Sequence, residues 1–152
     1  MATWNLRGLP LPAPPSASGG EEPDAKPREI PGALVRAGSY EATLSVGDRV
    51  VGRSTFIVRP DRRQDASPAA VQAWHAGLDS IATLYRSTAA LAQRAREAGA
   101  TMRARADMVS ELQTRVAALF QSLEPQVGPP TADMRAQLAS YSRLYARLSR
   151  GQ

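Results

Sequence analysis

Between Pro68 and Ala98 apolar residues recur at steps of three and four: Val71, Trp74, Leu78, Ile81, Tyr85, Thr88, Ala92 and Ala95. Leu84 and Leu91 widen the stripe. This spacing predicts a long helix with one apolar seam that other helices must cover. Ser67-Pro68 is its start, with Ser67 as N-cap and Pro68 in the first turn. The same period returns at Val109, Leu112, Val116, Leu119 and Leu123, with Met102 and Ala106 extending it. A third run holds Met134, Leu138, Tyr141, Tyr145 and Leu148, capped by Thr131. Helices are therefore expected over about 68–98, 101–123 and 131–149, joined at Gly99 and by the loop Glu124 to Pro130. A continuous helix from Pro68 through Gly99 to Leu123 would span about 84 Å, too long for a compact chain of this size. Short connections make the helices antiparallel neighbours in a three-helix bundle.

Upstream of Pro68 the period is two. Tyr40, Ala42, Leu44 and Val46 alternate with Glu41, Thr43 and Ser45, and Gly47-Asp48 is a turn before a second strand, Arg49 to Arg59. A two-residue turn alone would set Leu44 opposite Val51 and Ala42 opposite Arg53, placing arginine among apolar side chains. A three-residue turn, or a bulge near Gly52, sets Leu44 opposite Gly52 and Tyr40 opposite Phe56. Because a slip of one residue exchanges the faces, the second register is expected. One face then holds Tyr40, Ala42, Leu44, Val46, Val50, Phe56 and Val58. Thr3 to Arg7 alternates too and reads as a short third strand. Between it and the hairpin, residues 8–33 hold most of the prolines, a Ser/Gly run and the acids Glu21, Glu22 and Asp24. So little apolar surface cannot offset the ordering entropy, and a disordered loop is expected. The expected fold is α+β: residues 1–63 form a partial, immunoglobulin-like sheet of about three strands, and residues 64–152 form the bundle.

Composition narrows the chemistry. The 43% apolar share supports a core, although alanine supplies much of it. The chain has no cysteine, which removes disulfides and thiolate metal sites. His75 is the only histidine, so an ordinary zinc site is excluded, and it reads as a boundary residue beside Trp74. Glycoside hydrolysis needs two carboxylates in a rigid cleft, whereas the closest acidic cluster lies in the expected loop. Phosphate-loop, dinucleotide and zinc-protease motifs are missing. No catalytic, cofactor-binding or metal-binding residues are assigned, and the chain does not read as an enzyme. No run approaches the roughly 18 apolar residues of a membrane span, and Met1 to Pro15 lacks the pattern of a signal peptide.

The net charge of +5 is carried by arginine, since Lys26 is the only lysine. Arg94, Arg96, Arg103 and Arg105 gather about the expected turn at Gly99 as a candidate anion patch, and Arg143, Arg147 and Arg150 load the last helix. A solvated helix face looks the same. No aromatic residues interleave with these arginines as single-strand binding wants, so nucleic acid is the weaker reading.

The order of the pieces is informative in one further way. Trp4-Asn5-Leu6-Arg7, then Gly38-Ser39-Tyr40-Glu41-Ala42-Thr43-Leu44-Ser45-Val46-Gly47-Asp48, then Phe56-Ile57-Val58, Asp61-Arg62-Arg63 and long helices follow in sequence. This resembles the C-terminal tail of bacterial sortilin-like β-propeller proteins with BNR-type repeats, often labelled glycosyl hydrolases. Arg62 stands where that family has proline, and no S-x-D-x-G-x-T-W box of the propeller occurs, so no propeller function carries over. The resemblance implies a non-catalytic accessory or protein-interaction module. Its partner would be a protein, a missing upstream propeller domain or a second copy, meeting the sheet at Trp4, Tyr40, Leu44 and Phe56. A basic nucleic-acid-binding protein and a remnant glycosyl hydrolase are the alternatives. Relatives in that family are often exported.

Overall fold

The computed structural model describes residues 4–12, 29–61, 63, 65–99 and 102–150. Two strands, β1 (Gly38–Val46) and β2 (Arg49–Val58), precede three helices, α1 (Pro68–Glu97), α2 (Arg103–Leu123) and α3 (Ala132–Arg150). The chain is thus α+β, with a two-stranded antiparallel sheet followed by a helical bundle.

The helices begin and end where local chemistry dictates. The Ser67 hydroxyl accepts from the Ala70 amide at 3.2 Å, and Pro68 occupies the first turn of α1, where its missing N–H leaves no bond unmade. Gly99, at φ +83, takes the left-handed conformation that ends α1. Thr131 caps α3, its hydroxyl accepting from the Met134 amide at 3.2 Å. α1 and α2 form the tightest pair. Trp74, Leu78, Ile81 and Tyr85 from one meet Leu112, Val116, Leu119, Phe120 and Leu123 from the other in a single core. The Trp74 indole N–H also donates to the Leu123 carbonyl at 2.9 Å, binding the start of α1 to the end of α2. α3 lies on this pair without a buried residue: Met134, Leu138, Tyr141, Leu144, Tyr145 and Leu148 are all half-buried. Its apolar stripe follows the expected spacing, with Leu144 in addition.

The N-terminal region departs from expectation. Residues 4–7 form no strand beside the hairpin, and Thr3 lies outside the described residues. Leu6 sits at φ 59, which breaks an extended run. Arg7 pairs instead with Leu34 and Leu11 with Ile30, as isolated antiparallel bridges. Four backbone bonds of 2.8–2.9 Å, from Leu6 to Leu11 and from Ile30 to Val35, hold these two arms together. Gly32 permits the approach, because a Cβ there would stand 2.3 Å from the Gly8 carbonyl oxygen. The expected loop over residues 8–33 is therefore ordered at both ends; the remainder, 13–28 with its acids, falls outside the described residues. Leu11 and Ile30 enter the main core beside Trp74 and Phe120. The arms act as a strap across the helices.

In the hairpin Tyr40 stands opposite Phe56, Ala42 opposite Ser54 and Leu44 opposite Gly52, as the face argument requires. The turn itself is the two-residue Gly47-Asp48, and the register is restored by one extra residue on β2, Val51, between Gly52 and Val50. The bulge alters one assignment. Val50 pairs with Ser45 and so joins the opposite face, while Arg49 stands beside Val46.

Candidate interaction surface

Neither strand of the hairpin packs on a helix. It projects from the strap, and its root is fixed by aromatic side chains. The Trp4 indole N–H donates to the Arg7 carbonyl at 2.8 Å, which folds the ring back over the sheet. There its centroid lies 5.7 Å from Tyr40 and 5.8 Å from Phe56, and the Tyr40 and Phe56 rings stack at 6.0 Å. Such aromatic contacts contribute about 0.5–1.5 kcal/mol each beyond area burial. Three of the four sheet residues singled out in the sequence, Trp4, Tyr40 and Phe56, thus meet in one cluster. Leu44 lies further along the same face and is 64% exposed.

Beyond that cluster no described residue covers either face of the hairpin. Leu44 and Val46 are uncovered on the side of Trp4, while Val50 and Ile57 are uncovered on the other, and Val51 at the bulge is exposed as well. Among the described residues both strand edges are unpaired. A hairpin in isolation is marginal in water, and natural edges are usually blunted by charge or proline. From Ala42 to Val46 the β1 edge carries neither.

A second feature lies between the strap and α1. A cleft of about 220 Å³ is lined by Leu9, Leu11 and Arg36 on one side and by His75, Leu78, Asp79 and Arg86 on the other. Arg36 pairs with Asp79, and its carbonyl accepts from the Tyr40 hydroxyl at 2.7 Å, so the hairpin root is tied to α1 through one residue. His75 is buried against Trp74, their ring centroids 4.7 Å apart, deeper than the boundary position expected. Burial and the positive charge of Arg36 lower its pKa, and Asp79 opposes them.

The arginines of the candidate anion patch are at the α1–α2 junction, and two have other work. The Arg96 guanidinium donates to the Gln93 side chain at 3.0 Å. Arg105 is half-buried and donates to the Leu148 carbonyl near the end of α3, which fastens α3 to α2. Arg94 and Arg103 are exposed, and Arg94 and Arg96 in the last turn of α1 also suit its dipole.

Sequence reasoning overlooked a buried polar link. The Tyr85 hydroxyl donates to the Pro12 carbonyl and accepts from the Gln113 side-chain amide at 3.0 Å, joining strap, α1 and α2. Burial raises the Tyr85 pKa, so the phenol stays protonated. A tyrosine and a glutamine on facing seams were the available signal. Among the described residues no three acidic or histidine side chains gather as metal ligands, and no helix is long and apolar enough to cross a membrane. Compared with family models, curated proteins and solved structures, the chain matches none.

Proposed function

We propose that this chain is a non-catalytic accessory module that binds another protein through its projecting hairpin. The observation that carries the reading is that strands of 9 and 10 residues expose Leu44, Val46, Val50, Val51 and Ile57 with no helix over either face. Exposed apolar side chains on a sheet with two open edges are what a partner sheet would cover. The resemblance to the tail of sortilin-like propeller proteins supports the same reading, because in that family the rest of a sandwich lies against these strands. The immunoglobulin-like character then belongs to the complex, with the partner supplying the missing strands. The helices, fastened by the strap, are the scaffold that holds the hairpin out.

Site-specific photo-crosslinking tests this. A photoreactive residue at Leu44 or Ile57 in the full chain, in the cells that make it, should yield protein adducts; one at Arg115, exposed on α2, should not. Leu44→Lys combined with Ile57→Lys should abolish adduct formation from a probe at Val46 while leaving the thermal midpoint unchanged. No adducts from the hairpin, together with salt-sensitive retention on DNA lost in Arg94→Gln/Arg103→Gln, would contradict it and favour the arginine group.

A further inference from the structure

The cleft between strap and α1 has the makings of a ligand site at the root of the hairpin, where Tyr40 joins its lining. Its floor is apolar: Leu11, Leu78, Ala82 and Phe120 line it, and all four are buried core residues. Its rim carries N–H groups. Arg86 is exposed and has neither an ion pair nor a hydrogen bond among the described residues. The His75 ring is buried against Trp74 and borders the cleft, yet makes no hydrogen bond with a described residue, and neither nitrogen is fully sealed from solvent. Arg36 contributes a second guanidinium, already neutralised by Asp79. With His75 neutral, the lining carries Arg36, Arg86 and Asp79, a surplus of one positive charge.

We infer that this cleft binds a monoanionic carboxylate with a compact apolar body. An unpaired guanidinium donates two parallel N–H bonds to a carboxylate, and the floor offers the apolar body the contacts that water cannot. A volume of about 220 Å³ holds roughly seven waters at about 30 Å³ each, the scale of a benzoate or of one apolar residue with a free chain terminus. A polyanion such as a nucleotide is disfavoured, since one free arginine and a paired Asp79 cannot neutralise it. Both a small carboxylic acid and the carboxyl terminus of a peptide have this chemistry.

Amide chemical shifts of the full chain, titrated with each of two acids, test the inference. One acid is benzoate, with benzamide as its neutral counterpart. The other is N-acetyl-leucyl-phenylalanine with a free carboxylate, with its C-terminal amide as counterpart. At least one acid should shift the amides of Leu78 and Ala82 saturably, with its neutral counterpart about tenfold weaker, the loss expected for a charge-assisted contact. The acid that saturates at lower concentration identifies the source. Arg86→Gln, exposed and outside the core, should keep the native spectrum and the thermal midpoint and weaken binding by a similar factor. The inference fails if neither acid gives a saturable shift, if the amides bind as well as the acids, or if Arg86→Gln binds equally.

Discussion

The guanidinium of Arg7 stands 2.7 Å from the carboxylate of Glu124, across 117 residues of sequence. Glu124 is the C-cap of α2, where the helix dipole disfavours a negative charge. Arg7 offsets that penalty, and the same guanidinium nitrogen donates to the Gly32 carbonyl at 2.8 Å. One side chain therefore joins both arms of the strap to the end of a helix. Because the pair is only about a quarter exposed (28% and 20%), it should contribute at the upper end of the usual surface range, about 1 kcal/mol. Arg7→Met should lower the denaturation midpoint by that order and disturb the Trp4 environment, seen in tryptophan fluorescence. Glu124→Gln should be milder, because it also relieves the dipole.

Leu11 is 1% exposed in the shared core, so the strap is part of the hydrophobic structure. Leu11→Ala, Leu78→Ala and Val116→Ala should each destabilise the protein by about 2–4 kcal/mol, as buried large-to-small changes do. Arg103→Ala, on an exposed position, should stay within about 0.5 kcal/mol. Denaturant midpoints check this; equal effects from all four would show the core to be misassigned.

What the sequence disclosed and what it hid separate along physical lines. Seams such as Trp74-Leu78-Ile81-Tyr85 and Val109-Leu112-Val116 repeat a period over many residues, and every one of these side chains is buried. The hairpin register followed from the need to keep Arg53 off the face of Leu44, although the device is a bulge at Val51 behind a two-residue turn. Leu11 and Ile30 were hidden because single apolar residues among prolines have no period. Their burial depends on pairing across a gap in sequence. The aromatic trio was legible as residues but its assembly was not, since Trp4 reaches the sheet through a local turn at Leu6 and Arg7. The cleft was legible only in part: His75, Asp79 and Arg86 recur along one face of α1, but nothing in the sequence brings Arg36 to them, since only the strap places it there.

Gly77 should resist replacement despite lying in a helix. Alanine there would normally gain about 1 kcal/mol of helix propensity. A Cβ, however, would stand 2.6 Å from the Pro130 ring and 3.0 Å from Leu123, forcing the α2–α3 loop off α1. Gly77→Ala should lower the thermal midpoint, and a rise would show that the loop yields freely.

His75 should make stability fall in mild acid. Its folded pKa is depressed by burial and by Arg36, against the pull of Asp79; unfolded, it titrates near the ordinary value of about 6.5. Between those two values the unfolded chain binds more protons, so stability declines as pH falls from about 6.5 toward the folded pKa. Well above the unfolded value the ring is uncharged in both states and contributes nothing to this slope. Denaturation midpoints across that window should decline in the native sequence and decline less in His75→Gln. Identical slopes would remove His75 from the account.

The central claim is that the strapped helices are the stable body and the hairpin is held out for a partner. Amide hydrogen exchange in a verified monomer tests it most directly. Leu112 to Leu119, inside α2 and facing the core, should exchange only on global unfolding, while Ala42 to Val46 should exchange near the open-chain rate. Strong protection of both segments in the monomer would contradict the claim, because the hairpin would then be complete without another protein.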